Sequence, residues 1–151
     1  MADESQAPSL AQLAVLQAAR FNAADKAETK RQAAIAQDQA LASSLWDLVC
    51  EASIELTGAL NVELEDTFAT IHVEYDVVWR SSTHRTLIYK VHREYHKGNA
   101  PELMFIYEIN GTVKIHSKHV VPAVRSESFH VRDRSSEYYE SCLRSFLAGV
   151  F

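Results

Sequence analysis

Apolar and polar residues alternate through four successive runs between Phe68 and Ser117. The runs cover residues 68–79, 86–95, 103–109 and 112–117, and in each of them the odd-numbered positions carry most of the apolar side chains. A period of two is typical of a β-strand with one face in the core and the other in water. The sequence therefore predicts four strands whose odd-numbered residues point toward the core.

The links between these runs are short. Residues 80–84 and 96–101 leave room only for tight loops, and Asn110-Gly111 is a hairpin signal. Parallel strands need a long crossover, so short links favour antiparallel neighbours. The four strands are expected to form an antiparallel β-meander.

Helices are predicted on both sides of the meander. Alanine, glutamine and leucine dominate residues 10–60, a composition that favours helix, and Ser9 is placed to cap its start. We expect a break near Asn22–Asp25 and a second helix that ends at Thr57, with Gly58 as its C-terminal cap. A final helix is expected from Ser136 to about Leu147, after a short fifth strand over residues 129–132. The fold class is α+β, with the helices packed on one face of the sheet.

Two parts of the N-terminal segment differ in character. Residues 1–8 are expected to be a disordered tail, and residues 9–151 a single domain. Residues 9–40 form an Ala-rich helix that is expected to project or to associate with another chain. Beyond it, an apolar stripe predicts the helix face that lies on the sheet, with Trp46 beside it; the stripe consists of Leu41, Leu45, Leu48, Val49, Ala52 and Leu56.

Matching the faces of neighbouring strands also gives registers. The first hairpin is expected to place Tyr75 opposite Tyr89, Glu74 opposite Lys90 and His72 opposite His92. The second is expected to place Lys90 opposite Glu108, so that Glu74, Lys90 and Glu108 form a row of alternating charge. In the last hairpin a left-handed Gly111 is expected to place Tyr107 opposite Val113.

Composition excludes several classes of protein. A formal net charge of -5 argues against non-specific nucleic-acid binding. No stretch approaches the ~18 apolar residues of a membrane span, and no basic, apolar leader begins the sequence. Cys50 and Cys142 are far apart and lack metal-ligand spacing, which indicates reduced thiols and a cytoplasmic location.

No motif indicates catalysis or a cofactor. The chain has 4 glycines, no phosphate-binding glycine loop and no nucleophile elbow, so we expect a protein that is not an enzyme. His72 and His92 on adjacent strands are a possible zinc pair, with Glu74 or Glu94 as a third ligand. The simpler interpretation, which we adopt, is two histidines on a solvated face and no metal.

The even-numbered face of the sheet is the predicted binding site. It is more apolar at its centre than a solvent face requires, which favours a protein–protein surface. The residues predicted to form it are His72, Glu74, Val78, Ile88, Lys90, His92, Met104 and Ile106. We expect a non-enzymatic binding or adaptor module that self-associates, as a dimer, through this face or through the Ala-rich helix.

Two alternative functions remain open. A cleft between sheet and helices could bind a small ligand or substrate, with Tyr75, Tyr89, Tyr107 and Trp79 as its lining. Alternatively, the second strand could bind single-stranded nucleic acid through basic residues that alternate with tyrosines. Those basic residues are Arg80, His84, Arg85, Lys90, Arg93 and Lys97.

Overall fold

The computed structural model of the chain describes residues 7–79 and 83–151, and it begins with one long helix. Helix α1 spans Leu10–Glu63. Ser9 caps it as predicted, because the Ser9 hydroxyl accepts from the Gln12 N–H at 3.2 Å and the Gln12 side chain accepts from the Ser9 N–H at 2.9 Å. The predicted tail falls largely on residues 1–6, which lie outside the described residues.

The predicted break at residues 22–25 and the predicted cap at Gly58 are both wrong. Asn and Asp cost an Ala-rich helix only about 0.5 kcal/mol each, too little to interrupt it. Gly58 costs about 1 kcal/mol, but continuing the helix past it buries Leu60, which is 3% exposed. Packing of the last turn therefore outweighs the local preference of glycine.

The chain divides into two compact units, residues 1–38 and residues 39–151. In the first unit every described residue is exposed. Its side chains interact within the helix: Arg31 forms an ion pair at 2.8 Å with Glu28, one turn away. Whether this segment projects or associates stays a prediction.

In the second unit the buried face of α1 is rotated relative to the predicted stripe, of which Leu45, Val49 and Leu56 still pack partly buried against the core. Leu41 and Leu48 are 59% and 60% exposed, whereas Trp46 is completely buried. The indole of Trp46 stacks on Tyr107 with ring centroids 5.1 Å apart, and this large contact sets the rotation of the helix. The buried positions recur every three or four residues: Ala42, Trp46, Cys50, Ser53, Thr57 and Leu60.

The sheet is an antiparallel meander with the strands in chain order. The four predicted strands are present, and a fifth is added at the edge. The strands are β1 (Ala69–Tyr75), β2 (His84–Arg93), β3 (Glu102–Glu108), β4 (Thr112–Lys118) and β5 (Ser128–His130). The expected fifth strand over residues 129–132 is thus shorter and earlier, since Val131–Asp133 is a single 3₁₀ turn. Helix α2 (Ser136–Val150) follows; Ser135 is its N-cap residue, although the Ser135 hydroxyl makes no capping bond.

Two of the three predicted registers are wrong, and both err by an even number of residues. Tyr75 lies opposite Leu87, not Tyr89, and Lys90 lies opposite Glu102, not Glu108. The first hairpin shifts because the Asp76 carboxylate accepts from both the N–H and the hydroxyl of Thr86, which ends β1 early.

The second and third hairpins show what fixes a register. The Val91 N–H donates to the Pro101 carbonyl, which extends the β2–β3 pairing by one residue pair, and residues 94–101 link the two strands. The third register is confirmed: Tyr107 lies opposite Val113, and Gly111 is left-handed with φ of 89°.

The odd-numbered residues of the strands form the core with both helices, which confirms that the helices cover one sheet face. Leu87, Leu103, Phe105, Tyr107 and Val113 have no exposed surface. They share one cluster with Trp46 of α1 and with Leu143 and Phe146 of α2. Val77 and Tyr95, which the alternation also assigned to the core, are 76% and 79% exposed because both lie beyond the ends of their strands.

Candidate protein-binding site

The even-numbered face of the sheet is left open by the helices, which pack on the opposite face. Its centre is apolar: Ile88 of β2 lies opposite Met104 of β3, and the next pair along the strands is Thr86 with Ile106. Ile88, Met104 and Ile106 are each half-buried. We call these three residues the apolar centre.

Opposite charges border the apolar centre on its two sides. On β1, Glu74 lies beside Ile88, and Asp76 follows it along the chain. On β4, Lys114 lies beside Ile106 and His116 beside Met104. Lys118 completes this side opposite Glu102. We call the β1 side of the open face, with the carboxylates of Glu74 and Asp76 beside His72, the acidic side, and the β4 side, with Lys114, His116 and Lys118, the basic side.

Ion pairs tie the charged side chains to their neighbours. Lys90 Nζ lies 3.6 Å from Glu74 and 3.8 Å from Glu102. The predicted third member of this row, Glu108, instead pairs with Lys114 at 2.7 Å. A row of alternating charge therefore exists, but it runs through Glu102 because the register of the second hairpin differs. Pairs on an open face contribute only a few tenths to about 1 kcal/mol each, so they orient these groups more than they stabilise the fold.

Seven of the eight predicted binding residues lie on the strands that form this face. The exception is Val78, which is 73% exposed but lies beyond the end of β1 and outside the ladder. Lys114, His116 and Lys118 belong to the same face. Alternation within β4 places them there, but their role as a basic side follows only from the register.

His72 and His92 are close neighbours, although His72 lies directly opposite Lys90. The two imidazole rings meet edge to face with centroids 4.6 Å apart, along the diagonal between β1 and β2. Across residues 7–79 and 83–151, no group of three His, Cys, Asp or Glu side chains is arranged to hold a metal ion. Two imidazoles alone make a weak metal site, because protein zinc sites use three or four protein ligands.

The four aromatic residues expected to line a cleft are largely inside the core. Tyr89 and Tyr107 are 1% and 0% exposed. Tyr107 is stacked between Trp46 and Trp79, with ring centroids 5.1 and 5.4 Å away. Burial raises the pKa of both tyrosines, which keeps them neutral. These rings fill space between the sheet and α1.

The basic residues of β2 do not form one surface. Arg85 is 4% exposed and lies on the core face of the sheet, where its guanidinium forms an ion pair with Asp47. Lys90 is held between two carboxylates, and Arg80 lies outside the described residues. A nucleic-acid backbone approaching β2 would therefore meet a buried cation at Arg85 and a neutralised one at Lys90, while Lys97 is exposed in the loop beyond the strand.

A second concave region, which the sequence did not indicate, lies between α2 and the irregular segment before β5. This cleft has a volume of about 570 Å³, and its lining includes Val124, Arg125, Tyr138 and Cys142. The Tyr138 hydroxyl donates to the Glu127 carboxylate. The pKa of Tyr138 is raised, mainly by burial and secondly by this hydrogen bond to Glu127. Burial likewise raises the pKa of the Cys142 thiol, which favours its protonated form over the reactive thiolate.

No family model, curated protein or solved structure compared with the chain matches it. In the part of the chain that the structure describes, no helix has both the length and the apolar character that crossing a bilayer requires.

Proposed function

We propose that the chain is a non-enzymatic protein-binding module that self-associates, with a second copy of the chain seated on the open sheet face. The observation that carries the proposal is the placement of charge on that face. An acidic side on β1 and a basic side on β4 flank the apolar centre, and such a face is complementary to a rotated copy of itself.

The arrangement that satisfies both sides is a two-fold axis running along the strands, between β2 and β3. Sheets stacked face to face keep their strands within about 30° of each other. With this axis, β1 of one copy lies over β4 of the other. Glu74 then faces His116 of the second copy, Lys90 faces Glu102, and Ile88 faces Met104. Glu74 and Lys90 thus meet groups of the opposite kind, Lys118 faces His72, and the apolar centres cover each other.

The size of this contact indicates a weak dimer. Four strands at ~4.8 Å spacing and three residue pairs along each strand cover roughly 400 Å² on each copy. The total of roughly 800 Å² is below the ~1,200 Å² of a standard stable interface. We therefore expect an exchange between monomer and dimer that depends on protein concentration. The two cysteines are free, which supports the cytoplasm as the proposed location.

The test is the mass of the full chain in solution across a range of concentrations. Met104→Asp places a charge in the middle of the apolar centre, and we expect it to abolish the dimer without unfolding the chain, because Met104 is only half-buried and lies on the face opposite the helices. The matched control is Leu13→Asp, the same kind of substitution at a residue that is 47% exposed on α1. Raising the salt concentration is expected to weaken the wild-type dimer.

Two outcomes would contradict the proposal. A wild-type chain that stays monomeric at high protein concentration would remove self-association altogether. Loss of the dimer in L13D with its retention in M104D would move self-association to the Ala-rich helix. That surface is the second candidate, because Leu10, Val15, Leu16 and Phe21 are each at least 50% exposed there.

A further inference from the structure

The outer edge of β1 is covered at one point by a side chain of α1. Asn61 lies two residues before the end of the helix, and its amide makes two hydrogen bonds to one residue of the strand. Asn61 Nδ2 donates to the Ile71 carbonyl at 3.0 Å, and the Ile71 N–H donates to Asn61 Oδ1 at 2.8 Å. One donor and one acceptor in this arrangement reproduce what a neighbouring strand would offer to Ile71.

The bonds around β1 show which of its backbone groups face outward. The Asp76 N–H donates to Thr86, and the Phe68 carbonyl accepts from Glu94, so even-numbered residues bond toward β2. Odd-numbered residues therefore turn their N–H and C=O groups away from β2. For Ile71 these groups meet Asn61, whereas for Val73 and Tyr75 the described residues provide no hydrogen-bond partner.

Unpaired strand edges are usually protected by charge, proline or a bulge. The seven residues of β1 contain one charged side chain, Glu74, with no lysine and no proline. The protection that β1 lacks in its own sequence is supplied by Asn61. We infer that Asn61 closes this edge. When Asn61 does not cover it, the edge takes β1 of a second copy as an antiparallel neighbour.

The sequence of β1 suits pairing with itself. A two-fold axis at His72 sets Ile71 opposite Val73 of the second copy, and both residues carry the outward-facing groups that such a ladder needs. Both side chains also lie on the core face, so the pairing extends that face from one copy to the next. On the open face Thr70 meets Glu74, and the two copies of His72 lie opposite each other at the axis, so no two carboxylates are paired. This edge is distinct from the open face of the proposed function.

The test uses the full chain carrying Met104→Asp, so that the open face does not contribute. Adding Asn61→Ala is expected to make the chain associate at least about tenfold more tightly, since two backbone groups lose their partner. The matched control is Asn110→Ala, which removes a side-chain bond to the Thr112 N–H far from β1. Val73→Pro, added to N61A, removes an outward N–H without breaking a bond to β2, and is expected to reverse the association.

The wild-type chain gives an independent measurement by amide hydrogen exchange. The Ile71 N–H is expected to be protected although it points away from β2, whereas the Val73 N–H is expected to exchange quickly. Equal, rapid exchange at both positions would show that Asn61 does not close the edge. A folded N61A chain with the mass of N110A, or association of N61A that V73P leaves unchanged, would also overturn the inference. Failure of these tests would leave the dimer through the open face unaffected.

Discussion

Arg85 and Asp47 form an ion pair that links β2 to α1 across 38 residues of sequence, with Nη2 and Oδ1 2.8 Å apart. The Arg85 side chain is 5% exposed and that of Asp47 is 53% exposed, so the pair sits at the boundary of the core. Arg85 also donates from Nε to the Asp76 carbonyl at 3.0 Å. A cation on the core face of the sheet is thus balanced by one carboxylate and one backbone carbonyl.

Asp47→Ala is expected to destabilise the fold by about 1–3 kcal/mol. The loss of stability is smaller than for a fully buried pair, because about half of the Asp47 side chain is exposed to solvent and Arg85 keeps its hydrogen bonds to Asp76. Adding Arg85→Met to D47A is expected to recover part of the loss, since no buried charge then lacks its partner. Urea unfolding of the two variants measures this, and a double variant less stable than D47A would contradict the account.

Trp46 is expected to be the most sensitive position of α1. It has no exposed surface, and it stacks on Tyr107 and meets Tyr139 edge to face at 6.4 Å. Trp46→Ala is expected to cost about 3–5 kcal/mol through lost burial and the cavity it leaves. The control is Leu48→Ala two residues along the helix, where a side chain that is 60% exposed predicts a change below about 0.5 kcal/mol. Thermal unfolding followed by near-ultraviolet circular dichroism reports both effects.

The alternation of residues predicted which face of each strand is buried, but it could not choose among registers. The error was two residues at Tyr75 and six at Lys90, and any even shift keeps every side chain on its face. What selected the register was individual polar groups: the Asp76 carboxylate on Thr86 and the Pro101 carbonyl on Val91. Such bonds leave no periodic pattern in the sequence.

The same limit applies to the helix and to the candidate site. Helical periodicity located an apolar stripe near Trp46, but Leu41 and Leu48 proved exposed because the stacking partner of Trp46 comes from β3, far along the chain. Apart from Val78, which lies beyond the end of β1, the predicted members of the open face followed from alternation alone. Its division into an acidic and a basic side required the registers, so the complementarity of the face could not be predicted beforehand.

Substitution by alanine is expected to have opposite effects on stability at two of the glycines. Gly111 has φ of 89°, and a Cβ there would overlap the His130 ring, so Gly111→Ala is expected to destabilise the chain by about 1–3 kcal/mol. Gly58 lies inside α1 with nothing within 4 Å of an added Cβ, so Gly58→Ala is expected to stabilise it by about 0.5–1 kcal/mol. Chemical denaturation of the two variants checks the signs. Stabilisation by G111A would show that the turn does not need its left-handed residue.

The stability of the fold is expected to fall as the pH rises above 9, because Cys50 is buried. Burial raises the pKa of the Cys50 thiol from 9.0 to about 12. The folded chain therefore holds the Cys50 proton at pH values where the unfolded chain releases it. The stabilisation is fully present below pH 9 and is lost as the pH rises through about 12, at up to about 1.4 kcal/mol per pH unit.

Cys50→Ala removes this thiol, and we expect the C50A chain to lose less stability than the wild-type chain between pH 8 and 10.5 in urea titrations. The smaller side chain lowers the stability of C50A at pH 7, but it does not affect the slope of the unfolding free energy against pH. A thiol reagent gives a second readout: Cys142 is half-buried and is expected to react in the folded chain, whereas Cys50 is 1% exposed and is expected to react only on unfolding. Equal reaction rates in the folded chain, or equal pH slopes for C50A and wild type, would place Cys50 outside the core.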